Sequence, residues 1–413
     1  VAKFYGWRVV GAAFVLAFFG WGLGFYGPPV FLHAVREAHG FSVGVVSTAV
    51  TVHYLAGAFV AANVPALYRR FGLPAVTIAA ATLLAAGICG WAIARVPWQL
   101  FAATLISGAG WAAMGGVVVN AVVSPWFVRA RPAALGTAYN GASFAGLIFS
   151  PLWVFLIELM GFPAAAAMIG LATVIAVSVL ARIFFARTPQ QMGLAPDGDA
   201  PGAPASSVTS RCAKPLPGSL LWRDISFITL AAGSSLSLFA QIGLITHLYS
   251  LLVPALGKEW AGLVMGVGTG AGMGGRMLVA ALMPAGADRR LVASSSYAVQ
   301  IAGTLTLIAA AGSNIPLLLI GVLLFGVGIG NVTSMPPLIA QVEFVKDDVP
   351  RVVALVVAIG QATYAFAPAA FGFIREMSAG EGAYVFAAAA LAYGLAIGAL
   401  LAGRYAATKS ARA

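Results

Sequence analysis

One charged residue of this 413-residue chain stands inside a long apolar run: Arg276, in VMGVGTGAGMGGRMLVAALM. An arginine at the centre of a membrane helix costs about 2.5–3.5 kcal/mol on insertion scales, so something must offset it. The twelve Asp and Glu residues all fall in loops or near the ends of apolar runs, and none is placed to neutralise Arg276. A bound anion is then the partner that the pattern implies. A guanidinium pairs with a carboxylate through two parallel hydrogen bonds, which suits recognition of an organic acid. The alternative is an arginine that snorkels to the membrane surface or caps backbone carbonyls.

Other polar groups in apolar runs are neutral or weakly basic. His53 lies near the middle of its run and is the one deeply placed group expected to titrate near neutral pH. It could relay protons, or it could be a neutral histidine hydrogen-bonded between helices. His247, toward the end of another run, could join an outer gate or serve packing. Asn120, Tyr139, Asn140, Asn331, Gln361 and Tyr364 could each bond a substrate oxygen, or could hold helices together. Gly266, Gly268, Gly270, Gly272, Gly274 and Gly275 flank Arg276, and close helix approach is their expected role.

The elements that must position these groups follow from composition. The chain is 61% hydrophobic and 8% charged, with mean hydropathy +0.95. Soluble domains carry about 25% charged residues, so this is a membrane protein. Twelve runs are long enough to cross hydrocarbon as helices: residues 9–32, 43–67, 75–94, 100–123, 133–156, 164–185, 225–252, 261–283, 291–311, 315–339, 352–373 and 383–401. Their length, without two-residue alternation, excludes a barrel. The fold class is therefore all-α. A first run of this length also argues against a cleaved signal peptide, whose apolar core spans roughly 7–15 residues.

Of the 23 Lys and Arg residues, Arg276 is inside a span, Arg36, Arg95, Lys258 and Arg375 fall on one side, and the other eighteen fall opposite. By the positive-inside rule both termini are cytoplasmic. The net charge of +11 does not imply nucleic acid, because the basic residues are scattered singly between spans. Residues 188–223, rich in Pro, Gly, Ala and Ser, read as a flexible cytoplasmic linker between six-helix bundles at 1–187 and 224–413. The halves share a repeat: Gly110, Gly115, Asn120 and Pro125 recur as Gly321, Gly326, Asn331 and Pro336, each displaced by 211. That points to duplication and to two parallel six-helix repeats, a plan that carries its site near the midplane.

This layout resembles the major facilitator superfamily. The opening FYGWRVVGAAFVLAFFGWGLGFYGPPVF, followed by Gly40-Phe41-Ser42 before the second span, is similar to bacterial monocarboxylate porters and oxalate–formate antiporters. Trp126–Gly146, WFVRARPAALGTAYNGASFAG, resembles the same branch. The resemblance implies the major facilitator fold, a bacterial inner-membrane location and monocarboxylate transport. Departures are specific. The superfamily's acidic position in the loop after the second span is Arg69 here, within PALYRRFG. Animal monocarboxylate transporters place an Asp four residues before an Arg in the eighth span; here Gly272 precedes Arg276. Their first-span lysine falls near Pro29.

The expectation is a secondary transporter of a small organic carboxylate, a monocarboxylate by resemblance, embedded in a lipid bilayer as a monomer. Protons are a candidate co-substrate, through His53, and anion exchange is the other mode. Efflux of apolar or amphipathic compounds is the alternative. Enzyme signatures, phosphate loops and metal-ligand spacings are absent from the sequence, so no catalysis, cofactor or metal is expected. Reporter fusions at Cys212 and after Ala413 are both expected to read as cytoplasmic. An external signal at either position overturns the orientation.

Overall fold

A chain that crosses hydrocarbon must bond its own N–H and C=O groups, which in long apolar runs means helix. The computed structural model describes residues 4–198, 218–284, 286–345 and 348–410. Among them it is all-α, with twelve membrane-length spans and no strand. Each span expected from the sequence coincides with one of these. Cys212 and the central part of the linker, residues 199–217, lie outside the described residues. The chain divides into two compact units, Val1–Ser206 and Ser207–Ala413.

The first unit contains α1 (Tyr5–Gly24), α2 (Gly27–His39), α3 (Val43–Phe71), α4 (Leu73–Ile93), α5 (Pro97–Ala112), α6 (Gly116–Val123), α7 (Arg131–Met160) and α8 (Phe162–Leu180). The second contains the short α9 (Gly218–Leu221), then α10 (Ile225–Leu256), α11 (Lys258–Leu282), α12 (Arg289–Ala309) and α13 (Ile315–Glu343). It ends with α14 (Val349–Ala365), α15 (Ala367–Met377) and α16 (Gly382–Ser410). Three spans are thus broken, each built from two helices: α1/α2, α5/α6 and α14/α15. At the first break Pro28 and Pro29 lack the N–H groups that would bond the carbonyls four residues back, Gly24 and Phe25. The third precedes Pro368 in the same way.

Several helix ends follow from local chemistry. Ser42, Asp224, Asp288 and Asn314 cap α3, α10, α12 and α13 through side-chain oxygens that accept backbone N–H groups. Gly72, Gly161 and Gly257, at φ +80°, +81° and +76°, each join two spans as a single residue. Only glycine takes that conformation without strain.

The flexible linker needs correction. Its first stretch, through Gly198, forms two short 3-10 turns, Gln190–Met192 and Pro196–Gly198, the second lying against Phe4. Asp197 is responsible, because its carboxylate accepts backbone N–H groups of the loop before α7.

Glycine sets the helix spacing in both units. In the first, Gly22 lies under the Phe149 ring and Gly110 against Ala80 and Leu84. In the second, Gly243 lies under Phe371 and Gly321 against Gly303 and Leu307. Gly22 and Gly243 are 221 residues apart and Phe149 and Phe371 are 222 apart, so the same contact recurs between corresponding spans. The Gly110/Gly321 pair of the sequence repeat likewise occupies one kind of site, where the third or ninth span crosses its neighbour. Between α11 and α13 three such approaches lie along one crossing. A Cβ on Gly326 would strike the Gly268 carbonyl, one on Gly330 the Gly272 carbonyl, and one on Gly275 the Val327 carbonyl.

Arg290, assigned by sequence to a cytoplasmic loop, is 2% exposed inside the second unit. Its Nε and Nη2 donate to the Glu343 carboxylate at 2.6 and 2.8 Å. Nη1 donates to Thr229 Oγ1 and the Leu400 carbonyl at 3.0 and 3.2 Å, and Nη2 also to the Ser226 carbonyl at 2.8 Å. Those bonds match the five N–H groups of a guanidinium and tie α12 to α10, α13 and α16. Gly403 leaves the room, since a Cβ there would overlap Arg290 and Thr229.

Two outcomes are expected in thermal unfolding of detergent-solubilised protein. Gly326→Ala should cost about 1–3 kcal/mol by overpacking. Gly274→Ala, where a Cβ meets nothing within 4 Å, should cost nothing; equal losses at both positions would refute the packing argument. Arg290→Ala should cost about 3–5 kcal/mol because it strands Glu343. The Arg290→Ala/Glu343→Ala pair should lose less than the sum of the single changes. Additive losses would show that the pair is not coupled.

Candidate functional site

Arg276 stands six residues past the middle of the 25-residue α11, about 9 Å along its axis. It is half-buried, and its Nε donates to the Gly330 carbonyl of α13 at 3.1 Å. The Thr333 and Ser334 hydroxyls donate to the same oxygen at 3.5 and 3.1 Å. This is the carbonyl-capping arrangement that the sequence offered as the alternative to an anion partner. The bond also fixes the orientation of the guanidinium through its Nε.

The glycines around Arg276 divide by face. Gly268, Gly272 and Gly275 are buried in the crossing with α13, while Gly274 is exposed. At Gly272 a Cβ would stand 3.1 Å from the Gly326 carbonyl and 3.2 Å from the Gly330 nitrogen, so a side chain there requires α13 to give by a few tenths of an ångström.

In the same unit Asn331 follows Gly330, the residue whose carbonyl Arg276 holds. Asn331 is 2% exposed, with Oδ1 buried and without a hydrogen-bond partner among the described residues. Tyr364 is 9% exposed and Gln361 half-buried, both on α14. His247 is fully buried on α10, and its Nε2 donates to the Pro368 carbonyl at 3.1 Å, beside the break between α14 and α15. Arg375 bonds Ser250 Oγ on the same face of α10, and Ser250 Oγ donates to the His247 carbonyl at 2.9 Å.

In the first unit Asn120 and Tyr139 do come together. Asn120 Nδ2 donates to Tyr139 Oη at 2.7 Å and to the Gly116 carbonyl at 2.8 Å, and Tyr139 Oη donates to Gly116 at 3.1 Å. Asn140 is half-buried beside Tyr139 in the chain. Asn120 and Tyr139 thus meet at the Gly116 carbonyl, the first residue of α6, just past the break in the fourth span. The repeat symmetry fails at this point: Asn120 is exposed and bonded, whereas Asn331 is buried.

His53 is 1% exposed, and both ring nitrogens are engaged. Nε2 meets the Gly24 carbonyl at 3.0 Å, and a carbonyl can only accept, so Nε2 carries hydrogen. In the neutral ring Nδ1 then accepts from the Ser107 hydroxyl at 2.8 Å, while Trp91 Nε1 donates to Ser107 Oγ at 3.1 Å. The ring stacks on Trp111 with centroids 5.8 Å apart. His53 thus bonds the carbonyl that Pro28 releases at the first break. Ser107, Trp91 and Trp111 carried no signal in sequence, since their importance lies in contacts 16 to 58 residues away.

The sequence matches the profile of the Major Facilitator Superfamily over residues 10–368. No curated protein sequence matches significantly. Among solved structures, the chain is similar to the nucleoside transporter NupG, with TM-score 0.70 at 11% identity, covering 96% of this chain and 98% of that one. A point mutant of the same transporter gives TM-score 0.69 at 12% identity, covering 96% and 99%. At these identities the likeness is one of fold. With twelve spans and a family profile over most of its length, the chain belongs to the major facilitator superfamily, whose members carry out secondary transport across membranes rather than catalysis.

Proposed function

We propose that this transporter carries a small organic carboxylate, of the monocarboxylate size class, by alternating access and as an exchanger. The observation that carries the reading is Arg276: a permanent positive charge well inside a span, its orientation fixed through Nε by Gly330. An organic anion is the natural counterpart of such a group. Asn331, Gln361 and Tyr364, in the same unit as Arg276, are neutral polar groups for the rest of the molecule. Cationic substrates are disfavoured by like charge.

Exchange is preferred to proton symport because of His53 and His247. Each is buried and committed to a backbone carbonyl, and the Asp and Glu residues lie at helix ends or in loops. An exchanger returns loaded in both directions and needs no proton site of its own. The inner membrane and cytoplasmic termini belong to the same proposal.

Counterflow in proteoliposomes tests it. Radiolabelled short-chain carboxylates should exchange, with rates unaffected by a protonophore. Arg276→Lys and Arg276→Ala should each raise the half-saturating concentration by about a hundredfold, the size expected when a buried ion pair loses one partner. Wild-type exchange by Arg276→Lys, or counterflow of nucleosides but not acids, would sink the reading. Uptake that collapses with the protonophore would replace exchange with proton symport.

A further inference from the structure

Helix α7 spans 30 residues and begins without a cap of its own. Its N-cap position is Ala130, whose side chain has no oxygen to offer the first N–H groups. The loop that leads into the helix is held instead by a carboxylate 67 residues beyond Ala130. Asp197 Oδ2 accepts from the backbone N–H groups of Val128 and Arg129 at 3.1 and 2.8 Å, and Oδ1 accepts from Ala130 at 3.2 Å. The Arg129 Nε lies 4.0 Å from Oδ2, and the Asp197 side chain is 7% exposed. Three consecutive amides converging on one carboxylate form an anion-binding concavity. Asp197 itself sits at φ 61°, a left-handed conformation that non-glycine residues adopt at some cost.

The electrostatics agree with the geometry. Burial raises the carboxyl's affinity for a proton, but the Arg129, Ala130 and Val128 amides and the Arg129 charge outweigh it, so the pKa lies below the ordinary carboxylate value. A lowered folded pKa adds stability above the unfolded value near 3.9, lost only as pH falls through the folded one. The clasp is therefore charged and intact across neutral pH.

We propose that Asp197 is a positioning residue for transport: the linker's carboxylate clasps the loop that leads into α7 and so sets the placement of Tyr139 and Asn140, which α7 carries. This rests on the substrate reading above for its transport consequence, though not for the clasp itself. One carboxylate joins the loop at Val128–Ala130 to the linker's first turns, so removing it loosens both.

Limited trypsin digestion of the detergent-solubilised full chain reads the clasp. Arg129 precedes Ala130 and is cleavable, whereas Arg131 precedes Pro132 and resists. Cleavage after Arg129, followed by peptide mass, should be at least about tenfold faster in Asp197→Ala than in wild type at pH 7.5. Asp197→Asn, which keeps an acceptor without charge, should fall between them, and Asp197→Glu should restore protection in part. In counterflow the maximal rate of Asp197→Ala should drop severalfold with the half-saturating concentration unchanged, and Asp197→Glu should recover it. Equal cleavage in all variants would overturn the clasp. Faster cleavage with a wild-type maximal rate would overturn the positioning role. If wild type exchanges no carboxylate, the substrate reading fails while the digestion still decides the clasp.

Discussion

Within hydrocarbon a backbone carbonyl that loses its helical partner has no water to turn to, and much of this protein's polar chemistry answers that constraint. Proline and glycine interrupt the spans, and side chains from neighbouring helices supply donors at or beside the interruptions. His53 bonds Gly24, His247 bonds Pro368, and Trp153 Nε1 bonds Gly22. Arg276 bonds the Gly330 carbonyl across the crossing of two unbroken helices. The residues with the most chemical potential in the sequence are thus also fasteners. Of these four donors, Arg276 is the one with a permanent charge.

Glycine makes these bonds possible. Where two helices touch through Cα atoms, a carbonyl on one comes within reach of short side chains on the other. The crossing of α11 and α13 is the clearest case, with Gly268, Gly272 and Gly275 against Gly326, Val327 and Gly330. It brings the Gly330 carbonyl within reach of Arg276. The Arg290–Glu343 cluster works at longer reach, joining four spans through one planar group in a pocket that Gly403 leaves open.

The twelve spans were legible because hydropathy is a local property, readable from about twenty residues at a time. Their breaks were less so. Pro28, Pro29 and Pro368 are visible signals, but prolines such as Pro151 and Pro254 lie inside helices that continue. Arg276 was legible as an isolated charge; its Gly330 partner, 54 residues away, was not. Arg290 read as a loop residue because its partner Glu343 is distant and the run between them is apolar. The linker's composition concealed one residue, Asp197, whose carboxylate turns its first stretch into structure. The repeat predicted equivalent environments for Asn120 and Asn331, and the different course of the fourth and tenth spans defeats that expectation.

Gly72, Gly161 and Gly257 connect spans by a single residue each. A joint that short has almost no slack: neither arm can slide along its axis or rotate far without dragging the other. The affected pairs, α3 with α4, α7 with α8 and α10 with α11, behave as hairpins with few degrees of freedom between their arms. For α11 the effect reaches the candidate site. A displacement at Arg276 is delivered through Gly257 to α10, the helix that carries His247 near one end and the Ser226 and Thr229 contacts of Arg290 near the other. Mechanical leverage on the second unit is thus built into the shortest connection it has.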